Sequence, residues 1–169
     1  EDEKVLSNFE LETLNLKLII APHEISENRI SEMEKLFGTK TLRYSKSSVQ
    51  NIAEADVLII DSIGMLSLLY RYGWVTYVGG GFGKGIHNIL EAAVYGKPVF
   101  FGPNYQKANE AKTLIEKGGA FSISNSDELK NHLEKFLKDD SAYFASCEAS
   151  RNYVLENTGA TEKILQLTR

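Results

Sequence analysis

Between Val78 and Pro103 the chain reads Val-Gly-Gly-Gly-Phe-Gly-Lys-Gly-Ile-His-Asn-Ile-Leu-Glu-Ala-Ala-Val-Tyr-Gly-Lys-Pro-Val-Phe-Phe-Gly-Pro. An apolar run, glycines at 79, 80, 81, 83 and 85, an apolar stretch closed by Gly96 and a second apolar run predict strand, loop, helix and strand in that order. Such a unit sets a helix N-terminus at the carboxyl end of a strand, where backbone N–H groups and the helix dipole favour an anion. The glycines let the main chain adopt positive φ and come close to a ligand. A phosphate-bearing ligand is the expected occupant.

The rest of the chain repeats the alternation. Buried strands are expected at Leu16 to Ala21, ended by Pro22, at Thr41 to Tyr44, Ala55 to Ile60, Trp74 to Val78, Val99 to Phe101 and Ala120 to Ile123. Helices are expected around Ile30, Met33 and Phe37 up to Gly38, from Ile63 to Tyr72 with Asp61 and Ser62 as caps and Gly73 as stop, from about His87 to Tyr95, and from Ala108 to Lys117. Helices alone follow: Asp127 to Lys138, Ser141 to Glu156, and a short one from Ala160 to Leu167. Strands that are continuously apolar and separated by single helices predict an α/β fold with a Rossmann-like, doubly wound parallel sheet, helices on both faces and a C-terminal helical tail. Tyr143, Phe144, Tyr153 and Leu155 are the tail's expected packing residues. Residues 1–15 are expected to form an acidic lead-in or linker with a short helical turn, and residues 16–169 the domain proper.

Composition removes several classes of function. With 169 residues, 43% of them apolar, the chain can bury a full core, and one domain is expected. The 19 basic and 23 acidic residues give a net charge of −4 with no basic stripe, so nucleic acid is not an expected partner. Cys147 is the only cysteine, which rules out an internal disulfide and a cysteine-ligated zinc, and points to a reducing compartment. His23, His87 and His132 lack ligand spacing, so no metal is expected. No apolar run nears the roughly 18 residues needed to cross a bilayer, and the acidic start does not suit a signal peptide. The chain is expected to be soluble and, as it starts at Glu1, to be part of a longer protein.

The two familiar phosphate motifs fail by position. A Walker A loop needs Ser or Thr after Gly-Lys, and Gly85 follows Lys84; a dinucleotide fingerprint needs a glycine where Ile86 stands after Gly81 and Gly83. The loop also comes late in the strand order, not after the first strand. The helix after the loop places Glu91 one turn beyond His87 and three residues beyond Asn88, on one face. A carboxylate there can accept both hydroxyls of a ribose while the loop above it holds the phosphate. The neighbours Ile89, Leu90, Ala92, Ala93 and Val94 predict a buried helix in which a polar pair needs a partner.

These residues resemble the donor-sugar half of GT-B glycosyltransferases, and among them the 3-deoxy-D-manno-octulosonic acid (Kdo) transferases of lipopolysaccharide synthesis. The resemblance runs from about Leu16 to the C-terminus. It is carried by Pro22-His23-Glu24, Asp61-Ser62-Ile63-Gly64-Met65-Leu66, Val78-Gly79-Gly80, Gly85 with His87-Asn88-x-x-Glu91-Ala92-Ala93, Gly96-Lys97-Pro98-Val99, Gly102-Pro103 and Asn157-x-Gly159-Ala160. It implies an inverting, metal-free and cofactor-free enzyme of two domains that moves Kdo from the donor CMP-Kdo to a lipid A precursor. This chain would be the C-terminal, nucleotide-sugar-binding half, inactive alone. The catalytic base, the acceptor groove and the membrane anchor would lie in an N-terminal domain packed against the C-terminal helices, and the whole enzyme on the cytoplasmic face of the inner membrane.

By the same resemblance Asn88, with the N–H groups at the start of its helix, would stabilise the departing phosphate, and Glu91 would hold the ribose. Pro22, His23, Ser62, Ile63, Gly64, Met65, Gly85 and His87 would complete the donor site. Two departures stand out. Family members commonly carry Pro-Arg-His where this chain has Pro22-His23-Glu24, which leaves His23 as the candidate for the missing cation, and Ile86 fills the second position of a Gly-Gly-His-Asn motif. Lys84 and Lys107 are further candidates for contact with an anionic donor. The residues by themselves leave two other readings open: a GT-B enzyme or epimerase using UDP or GDP sugars, and a non-catalytic nucleotide-binding module.

Overall fold

The computed structural model describes residues 1–9, 11–159 and 164–166. The chain divides into two compact units, Glu3–Leu69 together with Glu1, and Tyr70–Arg169 together with Asp2. Each contains a three-stranded, wholly parallel sheet, so the pairing is that of two sheets where the sequence suggests one. The expected helix from Ala160 to Leu167 lies mostly outside the described residues.

In the first unit, β1 (Leu18–Ile20) and β2 (Thr41–Arg43) flank β3 (Val57–Ile59). The lead-in is ordered: α1 covers Asp2–Ser7, a 3₁₀ turn covers Leu11–Leu14, and Phe9 is buried. Helix α2 (Glu27–Phe37) starts where the Ser26 hydroxyl accepts the Arg29 N–H at 3.3 Å, and stops at Gly38, whose φ of 88° suits glycine. Its Ile30 and Met33, three residues apart and so on one face, close a core with Ile20, Val57 and Ile59. A second tie is ionic. Arg43, buried at the end of β2, donates to both carboxylate oxygens of Glu34 at 2.7 and 2.6 Å, and also to Glu27 and to Ser31, all on α2. The Arg43 guanidinium holds the Glu34 carboxyl below its ordinary range. One further turn, α3 (Val49–Ile52), carries a capping box between Ser48 and Asn51, and α4 (Leu66–Leu69) ends the unit.

In the second unit, β5 (Val99–Phe101) lies between β4 (Thr76–Val78) and β6 (Ala120–Ser122). Alternate residues of β5 point to opposite faces, and all three are fully buried. On one face Val99 and Phe101 pack with α5 (Leu90–Ala93) through Ala92 and Ala93, and with α6 (Asn109–Glu116) through Ala111 and Leu114. On the other, Phe100 meets Phe121, and Phe136 and His132 of α7 (Ser126–Lys138). Helix α7 begins with a reciprocal cap in which Asn125 accepts the Glu128 N–H at 2.9 Å and Glu128 accepts the Ser124 N–H at 2.7 Å.

Helix α8 (Asp140–Glu156) departs from its expected packing. Tyr143 stacks on Trp74 at 5.3 Å and Tyr153 reaches the core, but Phe144 and Leu155 are exposed. The buried face is made by Ser146 and Ser150, because the helix comes close to the main chain at Gly119: a Cβ there would lie 2.8 Å from the Ser150 hydroxyl. That hydroxyl donates to the Gly119 carbonyl at 2.9 Å. Among the described residues no helix is long and apolar enough to cross a membrane.

The His132 ring lies 4.8 Å from that of Phe121 and 5.7 Å from that of Phe100. Burial, aided by the Lys135 charge and opposed by Glu128, lowers its pKa below the ordinary 6.5. The unfolded chain therefore takes up a proton more readily, so stability falls as pH drops through about 6.5 and levels off below the folded pKa. Replacing His132→Leu should flatten the thermal-unfolding midpoint between about pH 7 and pH 5; an unchanged slope would contradict the assignment.

Candidate functional site

Parallel strands send all their following loops to one edge of the sheet, which is where α/β folds bind ligands. In the second unit that edge carries the loop after β4, Gly79 to Asn88, and the loop after β5, which begins at Gly102. The two touch main chain to main chain. A Cβ on Gly81 would lie 2.5 Å from the Gly102 nitrogen, and one on Gly102 would lie 2.5 Å from the Gly81 carbonyl carbon. These glycines serve mutual approach, not only approach to a ligand.

The loop then folds on itself. The N–H groups of Gly83 and Gly85 both donate to the Gly80 carbonyl at 2.9 and 3.1 Å, and the His87 N–H donates to the Gly79 carbonyl at 3.1 Å. Gly80 has φ of 92°, and a side chain there would meet the Gly85 oxygen at 2.4 Å. Asn104 closes the structure from the neighbouring loop. Its N–H donates to the Gly81 carbonyl at 2.9 Å, its side-chain amide to the Gly83 carbonyl at 2.8 Å, and its carbonyl accepts the Ile86 N–H at 3.3 Å.

These bonds shorten the expected helix. Residues 85–88 belong to the loop, and α5 spans only Leu90–Ala93, where the sequence suggests His87 to Tyr95. The N–H groups of Gly83, Gly85, Ile86 and His87 are bound within the protein, so an anion must be met by other groups than these. The buried helix expected around the polar pair is corrected as well. Ile89, Ala92 and Ala93 are buried, while Leu90, Val94, His87, Asn88 and Glu91 are exposed. The pair's partner is internal: Asn88 donates to Glu91 at 3.1 Å, and its side-chain oxygen accepts the Leu90 N–H at 3.0 Å. The 3₁₀ turn Tyr70–Tyr72 packs against α5, and burial together with the Glu91 charge raises the Tyr70 phenol pKa.

In the first unit, the loops after β1 and β3 leave neighbouring strands at the same edge. They carry Pro22, half-buried, and His23, exposed, after one strand, and Ser62 to Met65 after the other. The caps expected for the helix from Ile63 do not form, since α4 begins only at Leu66. Ser62 instead donates to the Met65 sulfur at 3.0 Å, Gly64 has φ of 88°, and Ile63 is 92% exposed. Asp61 accepts the N–H and the hydroxyl of Ser45 at 2.9 and 2.5 Å. Burial works against the Asp61 charge, but the Ser45 bonds outweigh it and hold its pKa below the ordinary value. Among the described residues no group of three or more His, Cys, Asp or Glu could hold a metal ion.

Comparison with known proteins follows the same lines. The 3-deoxy-D-manno-octulosonic acid transferase of Aquifex aeolicus is 40% identical over 126 residues, 73% of this chain and 34% of that protein. The enzyme of the same name from Rickettsia typhi is 28% identical over 171 residues, 98% of this chain and 36% of that protein. The chain thus spans about a third of the length of the curated relatives it matches. The C-terminal CMP-Kdo binding domain of WaaA from Acinetobacter baumannii has the same fold, with a TM-score of 0.78, 22% identity, and coverage of 90% of this chain and 83% of that one. No family model matches.

The contact between the two loops makes a prediction about stability alone. Gly102→Ala should destabilise the second unit by about 1–3 kcal/mol, since the new methyl meets main chain that has little room to move. Gly79→Ala, where a Cβ meets nothing within 4 Å, should leave the melting temperature unchanged. Equal effects in thermal melts would show that the loops are not in contact in solution.

Proposed function

We propose that this chain, which its sequence groups with the Kdo transferases, is the donor-binding part of such an enzyme and takes the nucleotide of CMP-Kdo at the loop after β4. The observation that carries this reading is the exposed Asn88–Glu91 pair beside a glycine loop braced at the carboxyl edge of a parallel sheet. In the free protein the two side chains satisfy each other. When a nucleotide binds, the ribose hydroxyls replace the amide as donors to Glu91, and the amide of Asn88 turns to the phosphate. As the bond from the sugar to the phosphate breaks, negative charge grows on the departing CMP, and Asn88, with His87 beside it, stabilises that charge.

The acceptor, a lipid A precursor, and the catalytic base belong to the remaining length of such enzymes, which packs against the C-terminal helices. Such an enzyme meets its lipid acceptor at a membrane surface, which in this reading is the cytoplasmic face of the inner membrane. The reading needs no metal or cofactor for the transfer itself.

Calorimetric titration with CMP, UMP and GDP tests the donor. CMP should bind most tightly; tight UMP or GDP binding without a CMP response would assign the chain to another nucleotide-sugar enzyme. Glu91→Ala should weaken CMP by about tenfold or more while leaving the melting temperature unchanged, as expected for hydrogen bonds to a charged group. Unchanged affinity would remove Glu91 from the site.

A further inference from the structure

Asn104 is exposed, yet its main chain and side chain together form three hydrogen bonds to the loop after β4. The bonds fall at Gly81, Gly83 and Ile86, which bracket the stretch whose internal turn is made by the Gly80 carbonyl. The last of them lies immediately before His87 and Asn88. Two of the three come from the main chain of Asn104 and depend only on the path of the loop after β5. The third, from the side-chain amide to the Gly83 carbonyl at 2.8 Å, depends on the residue being asparagine. Phe101, just before this loop, is fully buried, so the anchor end of the latch is rigid.

We propose that Asn104 is a positioning residue for nucleotide binding: its side-chain amide holds the glycine loop in the shape from which His87 and Asn88 meet the phosphate. Asn104 acts through the loop and touches no substrate. This inference rests on the reading of the loop as a nucleotide site. Its consequence is selective, because a loosened loop weakens contacts to the phosphate and leaves those of Glu91 to the ribose. Preorganisation of this kind appears in affinity as an ordering cost avoided on binding.

The test uses Asn104→Ala and the nearly isosteric Asn104→Asp, which places an acceptor against the Gly83 carbonyl. Amide hydrogen exchange reads the latch without any ligand, and calorimetry reads affinity for CMP and for cytidine, which lacks the phosphate. Both variants should lower the melting temperature by no more than about 5 °C and speed exchange at Gly83, Gly85 and Ile86 by about three- to tenfold, the worth of one hydrogen bond. Both should weaken CMP by a similar factor, with cytidine changed by less than about twofold. Unchanged exchange, an Asp variant that behaves as wild type, or equal losses for CMP and cytidine would each overturn the proposal. If the wild-type protein binds no CMP, the nucleotide reading fails and takes this proposal with it. If it binds CMP and both variants bind equally well, the nucleotide reading stands and the proposal alone is refuted.

Discussion

The close approach of Gly81 to Gly102 is the constraint on which the candidate site depends. Two main chains can lie this near only where neither residue has a side chain, and a Cβ on either would stand 2.5 Å from the other's backbone. With the loops after β4 and β5 thus in contact, Asn104 comes within hydrogen-bonding range of Gly81 and Gly83, and Ile86 comes within range of the Asn104 carbonyl. The loop hydrogen bonds then determine where the next helix begins. Leu90 opens α5 because Ile86 and His87 are bonded to the loops, and Asn88 turns its side chain to the first helical N–H.

That sequence of causes alters the physical picture of an anion site. A long helix would offer a dipole and several open N–H groups. Here α5 has four residues, and several loop amides are already bonded, so recognition shifts to side chains. Asn88 and Glu91 present both a donor and an acceptor on the exposed side of a turn whose other side, Ile89, Ala92 and Ala93, is wholly buried. The buried side fixes the orientation of the exposed one. Tyr70 packs on the same core, and burial together with the Glu91 charge raises its phenol pKa.

Much of this was legible in the residues, and the exceptions have physical causes. All six strands were, four of them because short apolar runs such as Ala55 to Ile60 and Val99 to Phe101 end at Pro, Gly or Asp; the assigned strands are at most a few residues shorter at their ends. Helix α7 is legible from Leu129, Leu133, Phe136 and Leu137, which the spacing sets on one face; the first three are buried, whereas Leu137 is exposed. The single turn α3 was not, being too short for any periodicity, although Ser48 and Asn51 mark its capping box. Apolar composition from Ile86 onward resembles a longer helix than α5, whereas hydrogen bonds from a distant loop decide where it starts. Leu90 and Val94 are exposed although their neighbours suggest burial, since composition does not say which side of a short turn meets the sheet. Arg43 and Asn104 owe their roles to residues 9 to 21 or more positions away, as with Glu34 and Gly83. The only local sign of Asn104 is an asparagine after Gly-Pro, a residue type that bonds main chain in turns.

The account is tested most directly by titrating CMP into ¹⁵N-labelled protein and following the amide signals. It predicts that the largest shifts fall between Gly79 and Glu91, with the Asn88 side-chain amide among them. Shifts concentrated on α7, around His132 and Lys135, or no response at all, would contradict it.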